Sequence, residues 1–345
     1  MILSYEEIDR QEWSRLVRTS ATGTWFQTPE AYEFFASMPE FFRPFVVAVE
    51  RVNDLTNERT LRGVCVGYVT KEKNAIKQYF TRRAIIIGGP CLADDCSMDE
   101  AETLMEAVCQ QLVIGNWSLV NAPIYIETRN FNDYSRWKDA FEKAGFEYQK
   151  HLNFHVDTST PEVVESNLGK SRKRDIRTTI REGVTIVESP TEKQVTEYYV
   201  ILDNLYRTRV KTPLFPLSFF LTFRSHKDAR FLLTELNGKI VGGTVCVAQE
   251  GKCLYEWFAC GEDGVYPHVF PSCYATYVGI RYAAEHNMPR FDMMGAGKPD
   301  EAYGVRDFKA KFGGKEVEHG RFLCVTKPML YKIGAVGVKI LKKLK

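Results

Sequence analysis

The chain has 345 residues, 44% hydrophobic and 26% charged, the balance of a soluble globular protein with enough apolar material for two cores. Its net charge of only +2 excludes a uniformly basic nucleic-acid binder, so any anion site must be a local patch. Nine cysteines without a Cys-x-x-Cys pair, several in apolar runs (Cys65, Cys246, Cys324), read as buried reduced thiols rather than a disulfide framework or a metal site.

In chain order, Met1 to Asp9 lacks a basic region ahead of an apolar run, so no signal peptide is expected there. Tyr5 to Thr19 has helical spacing. Thr28-Pro29-Glu30 opens a second helix, with Thr28 as cap and Pro29 at the first position. Phe45–Glu50 and Leu61–Thr70 read as strands around a polar turn at 52–59. Ala84–Ile87 is a third strand, closed by Gly88-Gly89-Pro90. Met98–Ile114 is a helix capped by Ser97, with acids in its first turn. Ile124–Glu127 is a strand and Tyr134–Ala144 a helix stopped by Gly145. Strand character then runs through His155 and Val156. His151 and His155 on such a strand are about 13 Å apart, too far for one metal ion, so no metal is expected.

The second half repeats this plan. Phe231–Leu236 and Ile240–Ala248 flank Asn237-Gly238 as a hairpin. Cys253–Cys260 is a strand, Ser272–His286 a helix, and Arg290–Met294 a strand that runs into Gly295-Ala296-Gly297. Leu61-Arg-Gly-Val-Cys-Val-Gly is similar to Val241-Gly-Gly-Thr-Val-Cys-Val, and Asn121-Ala-Pro-Ile-Tyr-Ile-Glu to Asn287-Met-Pro-Arg-Phe-Asp-Met. Recurrence of hairpin, strand, helix and strand in one order implies a duplicated α/β unit with mixed sheets. No stretch of about 18 apolar residues is present, so no transmembrane helix is expected.

Several clusters carry chemistry. Lys170-Ser-Arg-Lys-Arg-Asp-Ile-Arg-Thr-Thr-Ile-Arg reads as a helix with Lys170, Lys173, Arg174, Arg177 and Arg181 on one face, a candidate phosphate clamp. Leu168, Ile176 and Ile180 are expected to face the core. Arg207, Arg209 and Lys211 run into a proline turn and form a second cation cluster. Tyr255 and Trp257 alternate on one strand and are candidates to line a substrate groove, equally ordinary as core aromatics. In Tyr303-Gly-Val-Arg-Asp-Phe-Lys-Ala-Lys-Phe-Gly-Gly, a lysine lies beside an aromatic just before a glycine turn. Tyr303, Phe308 and Lys309 are its site candidates. The loop Cys260-Gly-Glu-Asp-Gly-Val-Tyr-Pro is acidic where a coenzyme A pyrophosphate would need stacked amides and cations, which disfavours acetyl transfer. From Lys327 to Lys345 the chain has six lysines and no acids, with Leu330, Ile333, Val336, Ile340, Leu341 and Leu344 at helical spacing. A basic amphipathic helix of this kind can lie on an anionic membrane.

Four segments resemble the Fem family, the aminoacyltransferases that extend peptidoglycan side peptides. They are Thr24-Trp-Phe-Gln-Thr-Pro-Glu, the basic stretch from Lys170, Phe291-Asp292 with its following glycines, and Tyr303 to Gly314. The resemblance runs along nearly the whole chain and is to the compact form without a coiled-coil arm. It implies an α/β (α+β) fold of two tandem acetyltransferase-like (GNAT-like) domains, each a mixed twisted sheet flanked by helices. The first would span 1–155, with 320–345 available to complete it, and the second 156–319. It implies aminoacyl-tRNA as co-substrate with no other cofactor, and a lipid- or nucleotide-linked peptidoglycan precursor as acceptor. It also implies a cytoplasmic protein that could touch the inner membrane face. By residue, it implies that Lys309 stabilises the developing oxyanion, that Phe308 shapes the pocket, and that Arg209 holds a substrate phosphate. Glu127 is implied as an acceptor-pocket carboxylate that binds the attacking amine or takes its proton. The alternatives are an N-acyltransferase fed by an acyl carrier or coenzyme A thioester, and a binding protein that kept the fold.

Overall fold

The structure is a computed structural model that describes residues 1–53, 55–72, 74–113 and 122–334. Contacts divide the chain into two units, Met1–Lys150 with His319–Lys345, and His151–Glu318. Each unit is a mixed sheet with helices packed on it.

In the first unit the strands are β1 (Ile2–Leu3), β2 (Phe42–Val52), β3 (Arg59–Thr70), β4 (Ala84–Gly88), β5 (Cys91–Leu92), β6 (Tyr125–Asn130), β7 (Glu147–Gln149) and, from far along the chain, β15 (Arg321–Val325). Their order is β1-β2-β3-β4-β6-β15-β7, with β5 beside β3. All pairs are antiparallel except β4 with β6. The helices are α1 (Arg10–Thr19), α2 (Pro29–Ala36), α3 (Ala75–Thr81), α4 (Met98–Val113) and α5 (Lys138–Lys143). Asp9 caps α1 by accepting from the amides of Gln11 and Glu12, and the helix buries Trp13, Leu16 and Val17 at i, i+3, i+4 spacing. Thr28 caps α2 by accepting from Ala31, with Pro29 at the first position.

The Thr24-to-Glu30 segment has a structural task that its sequence does not announce. Strands β3 and β4 pair only at Tyr68–Ile85 and Val69–Ala84. Beyond that point the fully buried Gln27 side chain stands in for the ladder. Its amide donates to the carbonyls of Val66 and Ile87, both at 3.0 Å, and accepts from Val66 N–H at 2.7 Å. One side-chain amide thereby satisfies three backbone groups that would otherwise be buried alone.

The second unit holds β8 (Leu152–Asp157), β9 (Thr185–Val187), β10 (Ala229–Leu236), β11 (Lys239–Gln249), β12 (Cys253–Gly261), β13 (Arg290–Gly295) and β14 (Lys315–Glu318). Their order is β14-β8-β13-β12-β11-β10-β9. Its helices are α6 (Pro161–Asn167), α7 (Lys170–Arg181), α8 (Glu192–Leu205), α9 (Leu217–Arg224), α10 (Pro271–Glu285) and α11 (Gly304–Ala310). The β10–β11 hairpin turns at Asn237 and Gly238 with φ of 51° and 76°, the positive pair that a tight primed turn demands.

The two sheets share one plan. In each, the hairpin pair leads to a strand joined in parallel to the next (β4 with β6, β12 with β13). In each, the strand beyond comes from a distant part of the chain: β15 in the first unit, β8 in the second. The division differs from the expected 1–155 and 156–319. β8 belongs wholly to the second sheet, because its partners are β13 and β14. The repeat alignment read from sequence is also one residue out of register. It sets Glu127 opposite Met293, whereas the sheets equate Glu127 (beside Ile85 and Leu323) with Asp292 (beside Tyr255 and His155). A one-residue slip exchanges the two faces of a strand, so this correction decides which side chains correspond. Ile114 and Asn121, which the predicted helix and the repeat included, lie outside the described residues, as does the tail beyond Gly334 with Val336, Ile340, Leu341 and Leu344.

A chain ending at Glu318 would lack β15, which sits between β6 and β7. Such a truncation should lose amide protection in β6 and β7 while that of β10–β12 persists, as read by hydrogen exchange.

Candidate active site

The end of β13 is where the second sheet opens. β12 and β13 pair only at Leu254–Phe291 and Tyr255–Asp292, whereas β4 and β6 pair at five positions from Ala84–Ile126 to Gly88–Asn130. Past Asp292 the strand bends. Met294 takes a φ of 57°, and the register with β8 shifts between Asp292 and Gly295. Asp292 braces the bend. Its carboxylate accepts from Met294 N–H (2.7 Å) and from Asn153 Nδ2 (2.8 Å), and lies 3.2 Å from His155 Nε2. Full burial would raise its pKa, but the His155 contact and the neighbouring Arg290 charge outweigh burial and leave it lowered.

Lys309 closes the open end. It lies in α11 and is buried, with 9% of its surface exposed. Its Nζ donates to the carbonyl of Met293, to that of Gly295 at 2.9 Å and to that of Met294 at 3.3 Å. Three carbonyl acceptors call for three N–H donors, which the ammonium has and the neutral amine lacks. Burial lowers its pKa, opposed by the negative charges of Glu256 and Asp292. Glu256, on β12 one residue past the last pair with β13, is the converse. Burial raises its pKa, opposed by Lys309 and by hydrogen bonds from Thr276 and Thr244.

The short helix that carries Lys309 is clamped from below. The Arg172 guanidinium of α7 lies 4.5 Å from the ring centre of Phe308 and 4.9 Å from that of Phe312, and its Nη2 donates to Phe308 O at 3.4 Å. Gly313 ends the helix with φ of 77°, and a Cβ there would stand 2.2 Å from Asn167 O, so this position excludes any side chain twice over.

The duplication supplies a control. Residues 138–157 and 306–325 align without a gap, matching Asp139 to Asp307, Lys143 to Lys311, Gly145 to Gly313, His151 to His319 and Phe154 to Phe322. Both glycines have positive φ, and β7 and β8 fall on β14 and β15. On this alignment Phe141 occupies the place of Lys309, and the sheet registers put Ile86 at the place of Glu256. Phe141 and Ile86 are fully buried. The same framework therefore closes with an apolar pair in one unit and a charged pair in the other. The second unit thus holds two titratable side chains where the first holds apolar ones. Lys309→Met alone should destabilise the protein by about 3–5 kcal/mol, because it strands Glu256. Joining Lys309→Phe to Glu256→Ile should relieve the stranded carboxylate, leaving a smaller loss from the three carbonyls that no longer have a donor, as read by urea unfolding.

The other candidates fall as follows. On α7, Lys170, Arg174, Arg177 and Arg181 are exposed and Lys173 half-buried. Ile180, expected in the core, is 46% exposed. Thr179 is buried instead, where its hydroxyl donates to Asp175 O (2.8 Å) and accepts from Phe270 N–H (3.0 Å). Arg207 and Arg209 lie in a π-helical turn, Tyr206–Val210, that continues α8, and Arg207 pairs with Asp203 at 3.3 Å. Lys211 ends that turn with φ of 55°, its N–H donating to Tyr206 O at 2.7 Å. All three cations are exposed. Tyr255 is fully buried with its hydroxyl on Gln249 Oε1 at 3.0 Å, a core position rather than a groove wall. Trp257 is half-buried against Phe219 and Phe223, with ring centres 5.4 and 5.3 Å away. The exposed Tyr303 lies over Gly297, whose added Cβ would be 2.9 Å from the Tyr303 ring.

Glu127, in the first unit, has both carboxylate oxygens engaged, one by Arg321 at 2.8 Å and one by Arg129 at 3.0 Å. Burial pushes its pKa up, but the two guanidinium charges overcome this and hold it at about 2. A carboxylate so held is a poor proton acceptor at neutral pH. Its folded pKa lies below the unfolded value near 4.5, so the stability it adds is complete above that value. It should fade as pH falls toward about 2, and Glu127→Gln should flatten the acid limb of a stability–pH curve.

Two features of the site were not read from sequence. Glu256 stands in the run Tyr255-Glu256-Trp257-Phe258, where a lone acid at a core-facing strand position is itself a signal. Arg172, off the cationic face of α7, has no evident role in the sequence, and its burial against Phe308 and Phe312 supplies one. In the loop after β12, Asp263 Oδ1 accepts from Ser272 N–H at 3.0 Å. A carboxylate thus occupies an amide at the start of α10 that a pyrophosphate would otherwise use.

Residues 233–338 match the FemAB family. The FemAB match runs from within β10 through β15, including α11 and Lys309. Across the whole chain the fold is similar to a crystal structure of FemX, with TM-score 0.69 and 12% identity over 96% of this chain and 99% of that one. It is also similar to the C-terminal domain of a putative lysylphosphatidylglycerol synthetase from Agrobacterium fabrum, with TM-score 0.56 and 12% identity over 95% of each chain. A tandem GNAT protein from the clavulanic acid biosynthesis pathway matches with TM-score 0.51 and 8% identity, over 94% of this chain and 97% of that one. No curated protein matches in sequence. The fold is that of tandem GNAT-like acyltransferases, and the FemAB match supports an acyltransferase.

Proposed function

We propose that the protein is an aminoacyltransferase that moves an amino acid from aminoacyl-tRNA to an amine of a peptidoglycan precursor, lipid- or nucleotide-linked. The observation that carries this reading is a buried lysine whose Nζ meets three backbone carbonyls at the open end of a splayed strand, within the FemAB-matching stretch. In the reaction the acceptor amine attacks the ester carbonyl, and the carbonyl oxygen becomes an oxyanion. The C–N bond forms and the C–O bond to the tRNA ribose breaks. The proton lost by the amine goes to the departing ribose oxygen. A preorganised positive charge in a low-dielectric site favours the oxyanion without reorganisation cost. Lys309 supplies that charge, and its longest hydrogen bond, 3.3 Å to Met294 O, is the one most readily redirected.

The cations of α7 (half-buried Lys173 and exposed Arg177 among them) and of the Arg207–Lys211 turn would hold phosphates of tRNA or precursor. Phe308 and Tyr303 would shape the approach to Lys309. Among the described residues no helix is long and apolar enough to cross a membrane. A cytoplasmic enzyme meeting its precursor at the inner membrane face fits this reading. A GNAT-type thioester donor is the competing reading, favoured by the tandem GNAT likeness and opposed by Asp263 at the start of α10.

Incubation with a pool of charged tRNAs and cell-wall precursors, followed by mass spectrometry, separates the two. An aminoacyl mass added to the precursor, and abolished by ribonuclease, is expected. Transfer from coenzyme A thioesters alone would overturn the proposal. The Lys309→Phe, Glu256→Ile double variant should be folded and lose at least about a hundredfold in turnover, as removal of one oxyanion contact does.

A further inference from the structure

Lys309 presents a physical problem that its own position does not solve. Burial drives it toward the neutral amine, which would supply neither a charge nor enough donors for three carbonyls. Something fixed must hold the proton on it. The negative groups facing Lys309 come from two elements, Glu256 on β12 and Asp292 on β13. Asp292 is already committed to Asn153, to the Met294 amide and to His155 on β8, with Arg290 beside it. Of the cations beside the Lys309 helix, Arg306 within it donates to the carbonyls of Ala296 and Pro299, and Arg172 on α7 is turned onto Phe308 and Phe312 and lies 3.7 Å from Asp175. Glu256 accepts from the hydroxyls of Thr244 (3.5 Å) and Thr276, and the charge that acts on it most is that of Lys309. It is the first in the opened stretch of β12, and it is buried. In the first unit, where Phe141 replaces the lysine, the corresponding residue is Ile86. The acid is present where the buried lysine is present and missing where it is missing.

We propose that Glu256 is the positioning residue of this site: its carboxylate keeps Lys309 protonated in a dry pocket, so that a fixed positive charge awaits the reacting carbonyl. The proposal rests on the aminoacyl-transfer reading for its purpose, but its physical content is the charge state of one amine, which is measurable without any substrate. Glu256→Gln keeps the shape and the hydrogen-bonding capacity toward both threonines and removes only the charge.

Two readouts test it. The first is the titration of Lys309 Nζ, followed by heteronuclear NMR in protein labelled with nitrogen-15 lysine and assigned with Lys309→Arg. Loss of an opposing charge should move its midpoint down by roughly one pH unit or more in Glu256→Gln. The second is the pH profile of aminoacyl transfer. Lys309 acts protonated, so its activity is lost as pH rises through its pKa, and the alkaline limb should move to lower pH in the same variant. KM should change little, while kcat falls at alkaline pH and recovers toward wild type at lower pH. An unmoved Nζ midpoint would overturn the proposal, whatever the activity shows. A lowered midpoint in a protein that transfers nothing from aminoacyl-tRNA would leave Glu256 in its role and discard the reaction assigned to the site. A uniform loss of kcat at all pH values, with an unmoved midpoint, would mark Glu256 as a packing residue only.

Discussion

The second unit depends on one buried ammonium. Lys309 meets the carbonyls of Met293, Met294 and Gly295 at the point where β13 leaves its neighbour, and it does the work that a continued ladder would do. Hydrogen bonds of this kind must be satisfied in a dry interior, and a charged donor makes them strong. The same charge is what a carbonyl addition requires.

The internal duplication turns this into a comparison within a single molecule. Phe141 and Ile86 show that the framework closes without charge, and that β4 and β6 then stay paired to their ends. Ala144 and Phe146 in the first unit answer to Phe312 and Gly314 in the second, so the bulk beside the glycine has moved by two residues while the glycine has stayed. One copy conserves packing and the other spends packing on an opening. Between them they separate what the fold needs from what the site adds.

Much of the architecture is legible in the sequence, because strands and helices leave periodic apolar patterns and their turns need particular residues. Thr28-Pro29 and Asn237-Gly238 are examples, each placed by local sterics alone. The Tyr303–Gly314 motif marked Lys309 for the same reason, since the glycine turn and the aromatic pair are local. What escaped depends on distant partners. Gln27 reads as an ordinary polar residue until β3 and β4 separate around it. Arg172 stands apart from the cationic face of α7 with no evident task until two phenylalanines from beyond residue 300 close over it. Ile180 follows the apolar spacing of α7 yet faces outward, because Thr179 reaches Phe270 and settles the rotation of the helix. The register slip in the repeat has the same origin: two strands can be alike in composition while only their neighbours fix which residues face each other.

The exchange of β8 and β15 has a consequence for how the protein is made. The ribosome delivers β8 after the rest of the first sheet, but that strand belongs to the second. β15 belongs to the first, yet it emerges only after α11 and β14 have been synthesised. Until then β6 and β7 have no strand between them, and Glu127 lacks the guanidinium of Arg321. The first unit therefore waits, with an open slot in its sheet, for the helix that bears Lys309 to leave the ribosome. The second unit, whose last strand β14 ends at Glu318, can close before the first.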